Sequence, residues 1–331
     1  MQSPHLPYQN ILIIKPGAIG DLLQMTPVIR SLHAASPAAR ISLLVGSEPS
    51  TELFRHNPHV SELFVYDRSH TNILPLWQEL RARRFDLVLN FQRSNLRAWL
   101  LAAAAFPCRV LVYHRSTSTG VHAVANYLKT LEPLGIPAPD LRLELFLDDD
   151  SRAFAQRLLS GHGLDRVPVI AVNPGASHAV NRWPAERFAE LVDLIASRTS
   201  ARPLITGGPG DEPLAEAVVA RSRTRPVNIA GTTSLLQLGA VLERCSVLVS
   251  GDTGPMHMAA AVGTKVIALF GAADPARTGP VGVDHRLIQA EGVACVPCRS
   301  RTCTNRAYLE CMENIPADRV MDAIRDLTGF G

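Results

Sequence analysis

The chain alternates short, continuous runs of apolar residues with stretches of helical periodicity, and this alternation restricts its fold more than any other feature. In the first half the apolar runs are NILIIK, RISLLVG, LFVYD, FDLVLNF and RVLVY, and helical patterns cover residues 22–35, 76–84 and 96–105. Continuous apolar runs are typical of strands that are buried on both faces. Strands that alternate with helices predict a parallel sheet covered by helices on both sides.

The second half repeats this pattern. Its apolar runs are VIAVNPG, RPLITGG, PVNIAG, SVLVSGDTG and KVIALFG, and between the halves DDDS indicates a helix N-cap, residues 151–162 a helix and GLDRVP a polar linker. At 331 residues the chain is too long for one hydrophobic core of ordinary size. We therefore predict an α/β fold with two Rossmann-like domains, residues 1–160 and 161–331, and expect the chemistry in loops at the carboxyl ends of the strands.

Composition excludes several classes of protein. Hydrophobic residues make up 47% and charged residues 19% of the chain, which is typical of a soluble globular protein. The longest apolar stretch, at residues 98–108, is too short to span a membrane, and the N-terminus lacks the pattern of a signal peptide, so we expect a cytoplasmic protein. A net charge of only +3 argues against a nucleic-acid partner.

The first half is more basic than the second. Before Phe146 there are 14 Lys and Arg residues against 10 Asp and Glu, and 30 of the 33 basic residues in the whole chain are arginines. Because the planar guanidinium suits carboxylates and phosphates, we predict an anionic partner for this half. Arg93, Arg97 and Arg115 are candidate contacts, although each of them also fits a solvated arginine on the surface.

The segment SGDTGPMHMAAAVGTKVIALFG, residues 250–271, offers the most specific site. A strand ends at Ser250, a turn with two glycines follows, and a helix begins near Pro255. Exposed amides and the positive end of the helix dipole make such a turn a phosphate site, to which Thr253 and His257 can add donors. The alternative is a tight strand–helix turn in which Asp252 caps the helix and His257 is a core residue.

The first turn, KPGAIGD, matches neither the dinucleotide nor the P-loop motif, because only Gly17 and Gly20 are present and no GK[ST] follows. It places Asp21 at the start of a helix, facing a presumed cleft between the domains. A carboxylate there can accept a proton from an incoming hydroxyl. The alternative is that Asp21 only interacts favourably with the helix dipole.

Two further loops follow strands of the second half. The loop NPGASHAVNRWPAERF offers Ser177 and Arg182 to a phosphate, and TGGPGDEP offers Asp211 or Glu212 to ribose hydroxyls. Each residue alone fits a helix cap equally well. Together, at three neighbouring strand ends, these loops favour a nucleotide site.

These segments carry a resemblance to a known family. The opening ILIIKPGAIGDLLQMTPVIRSL, the central NPGA…RWPAERFAEL and the block SGDTGPMHMAAAVGTKVIALFGAADPARTGP resemble glycosyltransferase family nine, the ADP-heptose:lipopolysaccharide heptosyltransferases. The resemblance spans nearly the whole chain. It implies a GT-B fold, in which the two Rossmann-like domains face each other across a cleft, with an N-terminal domain for a lipid-linked sugar acceptor and a C-terminal domain for an ADP-sugar.

The resemblance also implies roles for individual residues. Asp21 matches the general base, with Gly20 beside it among the acceptor contacts. The donor-binding residues are then Ser177, Arg182, Asp211, Glu212, Asp252, Thr253, Gly254, Pro255, Met256 and His257. One position departs from the family pattern, since Asn181 stands where the family usually has a lysine before RWP, and Arg182 is the substitute we expect.

Four cysteines near the C-terminus form the pattern C-x2-C-x4-C-x7-C. They are Cys295, Cys298, Cys303 and Cys311, in a Cys-rich segment of the second domain at residues 295–311. This spacing suits a structural zinc ion, with disulfides or free thiols as the alternatives. Cys108 and Cys245 are expected to be buried, small apolar residues.

The function implied is an inverting transfer of heptose from ADP-heptose to a hydroxyl of the lipopolysaccharide inner core. Fixed dipoles and Arg182 would stabilise the leaving diphosphate, so no cofactor is expected for catalysis. The acceptor would be an anionic, lipid-linked oligosaccharide, reached by peripheral contact with the inner face of the cytoplasmic membrane. The alternatives are a GT-B transferase for another nucleotide-sugar and a non-catalytic protein that binds a nucleotide or a metal.

Overall fold

The fold is that of a computed structural model, which describes residues 7–66, 73–92, 96–114, 116, 120–137 and 139–330. The chain divides into two compact units, Met1–Phe146 and Leu147–Gly331. The helix before the second sheet, Asp149–Gly161, packs against helix Leu235–Glu243 and so belongs to the second unit. The structure therefore divides the chain before this helix, whereas the sequence analysis places the boundary within its last turn, between residues 160 and 161.

The first unit contains a five-stranded sheet in which every neighbouring pair is parallel. Its strands are β1 (Asn10–Ile14), β2 (Arg40–Val45), β3 (Glu62–Val65), β4 (Leu87–Asn90) and β5 (Arg109–Val112), in the spatial order β3-β2-β1-β4-β5. Its helices are α1 (Ile19–Leu23), α2 (Thr26–Ala35), α3 (Glu48–Thr51), α4 (Leu74–Ala82), α5 (Leu96–Ala103) and α6 (Ala123–Leu128), followed by a 3-10 helix at Lys129–Leu134.

The second unit contains a six-stranded parallel sheet in the order β11-β10-β9-β6-β7-β8. The strands are β6 (Val169–Asn173), β7 (Arg202–Ile205), β8 (Val227–Asn228), β9 (Val247–Gly251), β10 (Lys265–Phe270) and β11 (His285–Gln289). The helices are α7 (Asp149–Gly161), α8 (Ala185–Arg198), α9 (Glu212–Arg221), α10 (Leu235–Glu243), α11 (Gly254–Ala261), α12 (Pro275–Thr278), α13 (Glu310–Glu313) and α14 (Ala317–Thr328), with a 3-10 helix at Ala179–Asn181.

Both sheets have the strand order of doubly wound folds, so both predicted Rossmann-like halves are confirmed. In each sheet the order reverses beside the first strand, between β1 and β4 in the first unit and between β6 and β9 in the second. The carboxyl ends of strands at such a reversal are where open α/β sheets bind ligands. Asp21 follows β1, and the turn at residues 251–254 follows β9, so two of the predicted sites lie beside these positions.

Apolar side chains of strands and helices form the two cores. In the first unit strand residues such as Leu12 and Val88 pack with Leu101 of α5, and in the second Val249 packs with Val192 of α8. Trp183 is buried against Phe188, and its indole N–H donates to the carbonyl of Ile315 at 3.1 Å. Within the described part of the chain, no helix combines the length and apolar character needed to cross a bilayer.

Candidate active site

Asp21 is held in place by two donors. The ammonium of Lys15 lies 3.0 Å from one carboxylate oxygen, and the hydroxyl of Tyr127 donates to the other at 3.2 Å. The Lys15 side chain is only 6% exposed, whereas that of Asp21 is 46% exposed. The carboxylate is therefore oriented from within the unit and remains open to an incoming hydroxyl, as a general base must be.

Tyr127 belongs to an aromatic cluster at the same edge of the sheet. Its ring lies 5.5 Å from that of Phe91, which follows β4, and 5.0 Å from that of Tyr113, which follows β5. The Lys15 ammonium is 5.4 Å from the centre of the Tyr127 ring. Lys15 and Tyr127 are functional candidates that the sequence analysis missed. Lys15 could have been inferred from the sequence, because it stands at the end of the first apolar run. No local sequence pattern marks Tyr127 as a site residue.

The structure describes only some of the predicted acceptor contacts. Gly20 lies in α1, directly before Asp21. Arg93 and Arg115 lie outside the described residues, and Arg97 is described only through the backbone of α5. Contact of these arginines with an acceptor stays a prediction.

The turn after β9 leads directly into α11. Thr253 is the N-cap residue of this helix and its side chain makes no capping hydrogen bond, while Gly254 and Pro255 form the first helical positions. Pro255 has no N–H, and the amide of Met256 donates to the carbonyl of Thr253 at 3.1 Å. The amides that this helix start can offer to an anion are therefore those of Thr253 and Gly254. A Cβ atom on Gly251 would lie 2.5 Å from the carbonyl oxygen of Asn181, so only glycine fits at this approach of two backbones.

The side chains of this turn have different surroundings. Asp252 is not the helix cap that the alternative interpretation proposed, since it accepts a hydrogen bond from the Thr278 hydroxyl at 3.1 Å. His257 is buried, with its Nε2 atom 3.9 Å from a carboxylate oxygen of Asp252. Met256 is fully buried, so it supports the turn from the core.

The loop after β6 lies against this turn. Its predicted phosphate ligand Ser177 is exposed, and Arg182 donates from Nε to the carbonyl of Ala176 at 3.0 Å, which fixes the guanidinium along the loop. Asn181, at the position where a lysine is typical, ends the 3-10 helix. Its neutral amide cannot supply the charge of that lysine, so Arg182 is the cation that this loop offers.

Three buried side-chain oxygens near the carboxyl ends of these strands have no hydrogen-bond partner among the described residues: Asn173 Oδ1, Asn181 Oδ1 and Thr206 Oγ1. Asn173 ends β6 and Thr206 directly follows β7. Buried polar atoms are rarely left without a partner in folded proteins, and such atoms mark places where a ligand or water completes the bonding. All three are therefore available to a polar ligand or to water at this edge.

The carboxylates of Asp211 and Glu212 both accept hydrogen bonds from backbone amides of the glycine-rich loop after β7. Asp211 accepts a hydrogen bond from the amide of Gly208 at 2.9 Å, and a Cβ atom on Gly175 would meet its carboxylate at 2.3 Å. Glu212 accepts from the amide of Gly210. Asp211 thus connects the loop after β7 to the loop after β6. Ribose binding by either carboxylate stays a prediction.

The four cysteines of the C-terminal segment line one cavity of about 440 Å³ together with Val180 and Ala272. Burial and the neighbouring thiols raise the pKa of Cys311, whereas Cys295 and Cys298 are exposed. Four thiols suit zinc chemically, but their arrangement does not, since no three His, Cys, Asp or Glu side chains within the described ranges are placed to hold a metal ion. The zinc ligands stay a prediction.

The two isolated cysteines differ from each other. Cys245 is buried as predicted, and burial raises the pKa of its thiol to about 12. Cys108 is only half-buried, so its predicted burial is wrong in degree. The cause is its position just before β5, whose neighbouring residues Arg109 and Val110 are exposed.

Comparison with known proteins identifies the family. The family model described as glycosyltransferase family 9 (heptosyltransferase) matches residues 73–309. The chain belongs to glycosyltransferase family 9. It is 28% identical to lipopolysaccharide heptosyltransferase 3 of Escherichia coli strain K12, over 93% of this chain and 95% of that protein. This membership makes the protein a glycosyltransferase, as the sequence analysis predicts, and disfavours the non-catalytic alternative.

Two solved structures extend the comparison to the fold. A glycosyltransferase family 9 protein from Veillonella parvula matches with a TM-score of 0.87 and 25% identity, over 98% of this chain and 99% of the other. ADP-heptose lipopolysaccharide heptosyltransferase II of E. coli matches with a TM-score of 0.80 and 22% identity, over 97% and 98%. The predicted GT-B fold is confirmed by these likenesses, which span both units.

Proposed function

We propose that the protein transfers heptose from ADP-heptose to a hydroxyl group of the lipopolysaccharide inner core, with inversion at the sugar. Relatives named as lipopolysaccharide heptosyltransferases match across most of the chain, and this supports the sugar and the acceptor class. The observation that carries the proposal is the carboxyl edge of the second sheet, where the start of α11 lies against the loop after β6 and three buried side-chain oxygens lack a hydrogen-bond partner among the described residues.

The proposed reaction divides between the two units. The acceptor hydroxyl attacks the anomeric carbon, the bond from that carbon to the diphosphate oxygen breaks, and the proton of the hydroxyl passes to the carboxylate of Asp21. Lys15 and Tyr127 keep that carboxylate oriented. Negative charge grows on the departing ADP, where the amides of Thr253 and Gly254 at the start of α11 and the guanidinium of Arg182 stabilise it. Each such donor typically contributes about 3 kcal/mol to lowering the barrier.

The proposal is tested by product analysis. The protein is incubated with ADP-heptose and a series of inner-core acceptors that differ in the number of heptose residues they already carry, and the product mass and anomeric configuration are determined. A product heavier by one heptose, with the configuration inverted relative to the donor, supports the proposal. Absence of any heptosylated product, with ADP binding intact, contradicts the acceptor or the sugar.

A related transferase with another nucleotide-sugar is the second candidate, and Asn181 is the observation that favours it, because the loop after β6 lacks the usual lysine. Calorimetry with ADP, UDP and GDP separates the two. Under the leading proposal ADP binds most tightly. Preference for UDP or GDP would favour the second candidate.

We also propose that the protein works at the inner face of the cytoplasmic membrane, through peripheral contact of its first unit. This half of the chain is the more basic, and α5 leaves Leu96 75% and Leu100 46% exposed, with Phe106 73% exposed just beyond it. Exposed apolar side chains together with arginines are what a surface needs to bind an anionic bilayer.

Replacing Leu96 and Phe106 together by aspartate should lower the fraction of protein that cosediments with anionic vesicles roughly tenfold, because two apolar contacts are lost and two negative charges gained. Tyr308→Asp is the matched control, since Tyr308 is a large, 63% exposed side chain in the second unit. Equal cosedimentation of the double variant and the wild type contradicts contact through this surface.

We propose that Cys295, Cys298, Cys303 and Cys311 bind a structural zinc ion, which requires their thiols to move closer together than they lie in the structure, and that the reaction itself requires no metal. Protein purified from zinc-supplemented cells should contain about one zinc ion per chain. Cys298→Ser should release the ion and lower the thermal stability, while Cys108→Ser should retain it. Metal analysis that finds no zinc in the wild-type protein, with all four thiols free to react, contradicts the proposal.

A further inference from the structure

The loop after β10, residues 271–279, rests on the C-terminal Cys-rich segment. Gly271 lies so close to this segment that a Cβ atom on it would meet the sulfur of Cys311 at 2.9 Å. The backbone amide of Arg299 donates to the carbonyl of Ala272 at 2.7 Å. The beginning of the loop is therefore attached to residues that follow the second cysteine of the cluster.

Arg299 attaches to the loop a second time, through its side chain. Its Nη2 atom lies 2.5 Å from a carboxylate oxygen of Asp274, and the other oxygen of Asp274 accepts the amide hydrogen of Ala276 at 3.1 Å. The Asp274 side chain is 11% exposed and that of Arg299 is 42% exposed. Asp274 is the N-cap of α12, so its ion pair with Arg299 holds the start of that short helix.

The helix α12 in turn reaches the turn after β9. Thr278, its last residue, donates its hydroxyl hydrogen to a carboxylate oxygen of Asp252 at 3.1 Å. The same hydroxyl is 3.4 Å from the backbone carbonyl oxygen of Asp274, so Thr278 also contacts the N-cap residue of its own helix. A continuous series of polar contacts thus joins Arg299 to Asp252.

We propose that Arg299 is a positioning residue for the donor diphosphate. By holding Asp274 and α12, it keeps the Thr278 hydroxyl on Asp252, and this fixes the turn whose amides face the diphosphate. The inference rests on the proposed donor site at residues 252–257. It gives the Cys-rich segment a role in donor affinity that does not require the thiols to touch the substrate.

The test compares ADP binding with turnover in variants of the series. Arg299→Ala should raise the dissociation constant for ADP and the donor KM together by roughly fivefold to tenfold, with kcat within about twofold, because the lost contact supports binding in the ground state and the transition state alike. Arg299→Lys, which keeps a cation near Asp274, should recover at least half of the affinity. Arg301→Ala, an exposed arginine of the same segment, should bind ADP like the wild type.

A double-mutant cycle distinguishes positioning from a general loss of structure. Asp274→Asn should weaken ADP binding as Arg299→Ala does, and the double variant should be no weaker than either single variant, since all three break the same contact. Thr278→Val, which keeps the shape of the side chain, tests the last step if Arg299→Ala folds poorly. Melting temperatures within a few degrees of the wild type are required of the variants compared.

Two results would overturn the inference: ADP affinity of Arg299→Ala or Thr278→Val within about twofold of the wild type, or fully additive losses in the double variant. A wild-type protein that binds no ADP contradicts the proposed function itself. Wild-type binding that these variants leave unchanged contradicts only the role of Arg299.

Discussion

Replacing Asp21 by asparagine should lower kcat for heptose transfer by about 10²-fold to 10⁴-fold. The amide has nearly the shape of the carboxylate, and its one oxygen can still accept from Lys15 while its NH2 group faces the hydroxyl oxygen of Tyr127, but it cannot take a proton from the acceptor hydroxyl. The variant isolates proton transfer from the geometry of the site. Steady-state assays with saturating donor and acceptor measure the loss.

The controls for this variant come from the second unit. ADP affinity should be unchanged, because the proposed donor ligands belong to the loops after β6, β7 and β9. Asp150→Asn, an exposed carboxylate in the first turn of α7, should retain wild-type turnover. Near-normal turnover of Asp21→Asn with an intact fold would remove Asp21 as the base.

The sheets could be predicted from the sequence because each buried parallel strand appears as a continuous apolar run that ends at a turn former. The ends of helices follow less directly from the sequence than the strands do. Residues 22–35 were predicted as one helix, but the structure ends α1 at Leu23 and begins α2 at Thr26, with Pro27 in its first turn. Proline is favoured at such a first turn and interrupts a helix elsewhere, so this division was readable from Pro27 alone.

The domain boundary depended on packing that the sequence does not encode locally. Helix α7 follows the first sheet in the chain, yet its apolar face packs on α10, which begins only at Leu235. Its N-cap was predicted correctly, since Asp148 accepts the amide hydrogen of Ser151 at 2.7 Å. A cap depends on neighbours in sequence, whereas the assignment of a helix to a unit depends on contacts distant in sequence.

The candidate site shows the same division. Asp21 and the turn at residues 251–257 follow apolar runs directly, so their places at strand ends could be inferred. Tyr127 donates a hydrogen bond to Asp21 although the two residues are 106 positions apart in the sequence, and no motif predicts this contact. The contact between Gly251 and the carbonyl of Asn181 is also invisible in the sequence, because it depends on how closely two loops of the second sheet approach each other.

The close approach of Gly251 to the Asn181 carbonyl makes Gly251 a position where substitution should strongly lower activity. Gly251→Ala should lower the catalytic efficiency of transfer roughly 10²-fold, since a shift of about 1 Å in a binding loop typically costs that much. The added Cβ would lie 2.5 Å from the Asn181 carbonyl oxygen and 3.8 Å from that of Leu269. Both are backbone atoms, so either the loop after β6 or the turn before α11 must move.

The same substitution should lower the free energy of unfolding by about 1–3 kcal/mol, as overpacking of a buried position usually does. Gly161→Ala is the matched control, because Gly161 ends α7 with no atom within 4 Å of its added Cβ, so stability should stay the same or rise by up to about 1 kcal/mol. Urea unfolding gives the stability and calorimetry with ADP the affinity. If Gly251→Ala lost stability but bound ADP and turned over like the wild type, the segment that moved, either the loop after β6 or the turn before α11, could not be the one that holds the departing diphosphate.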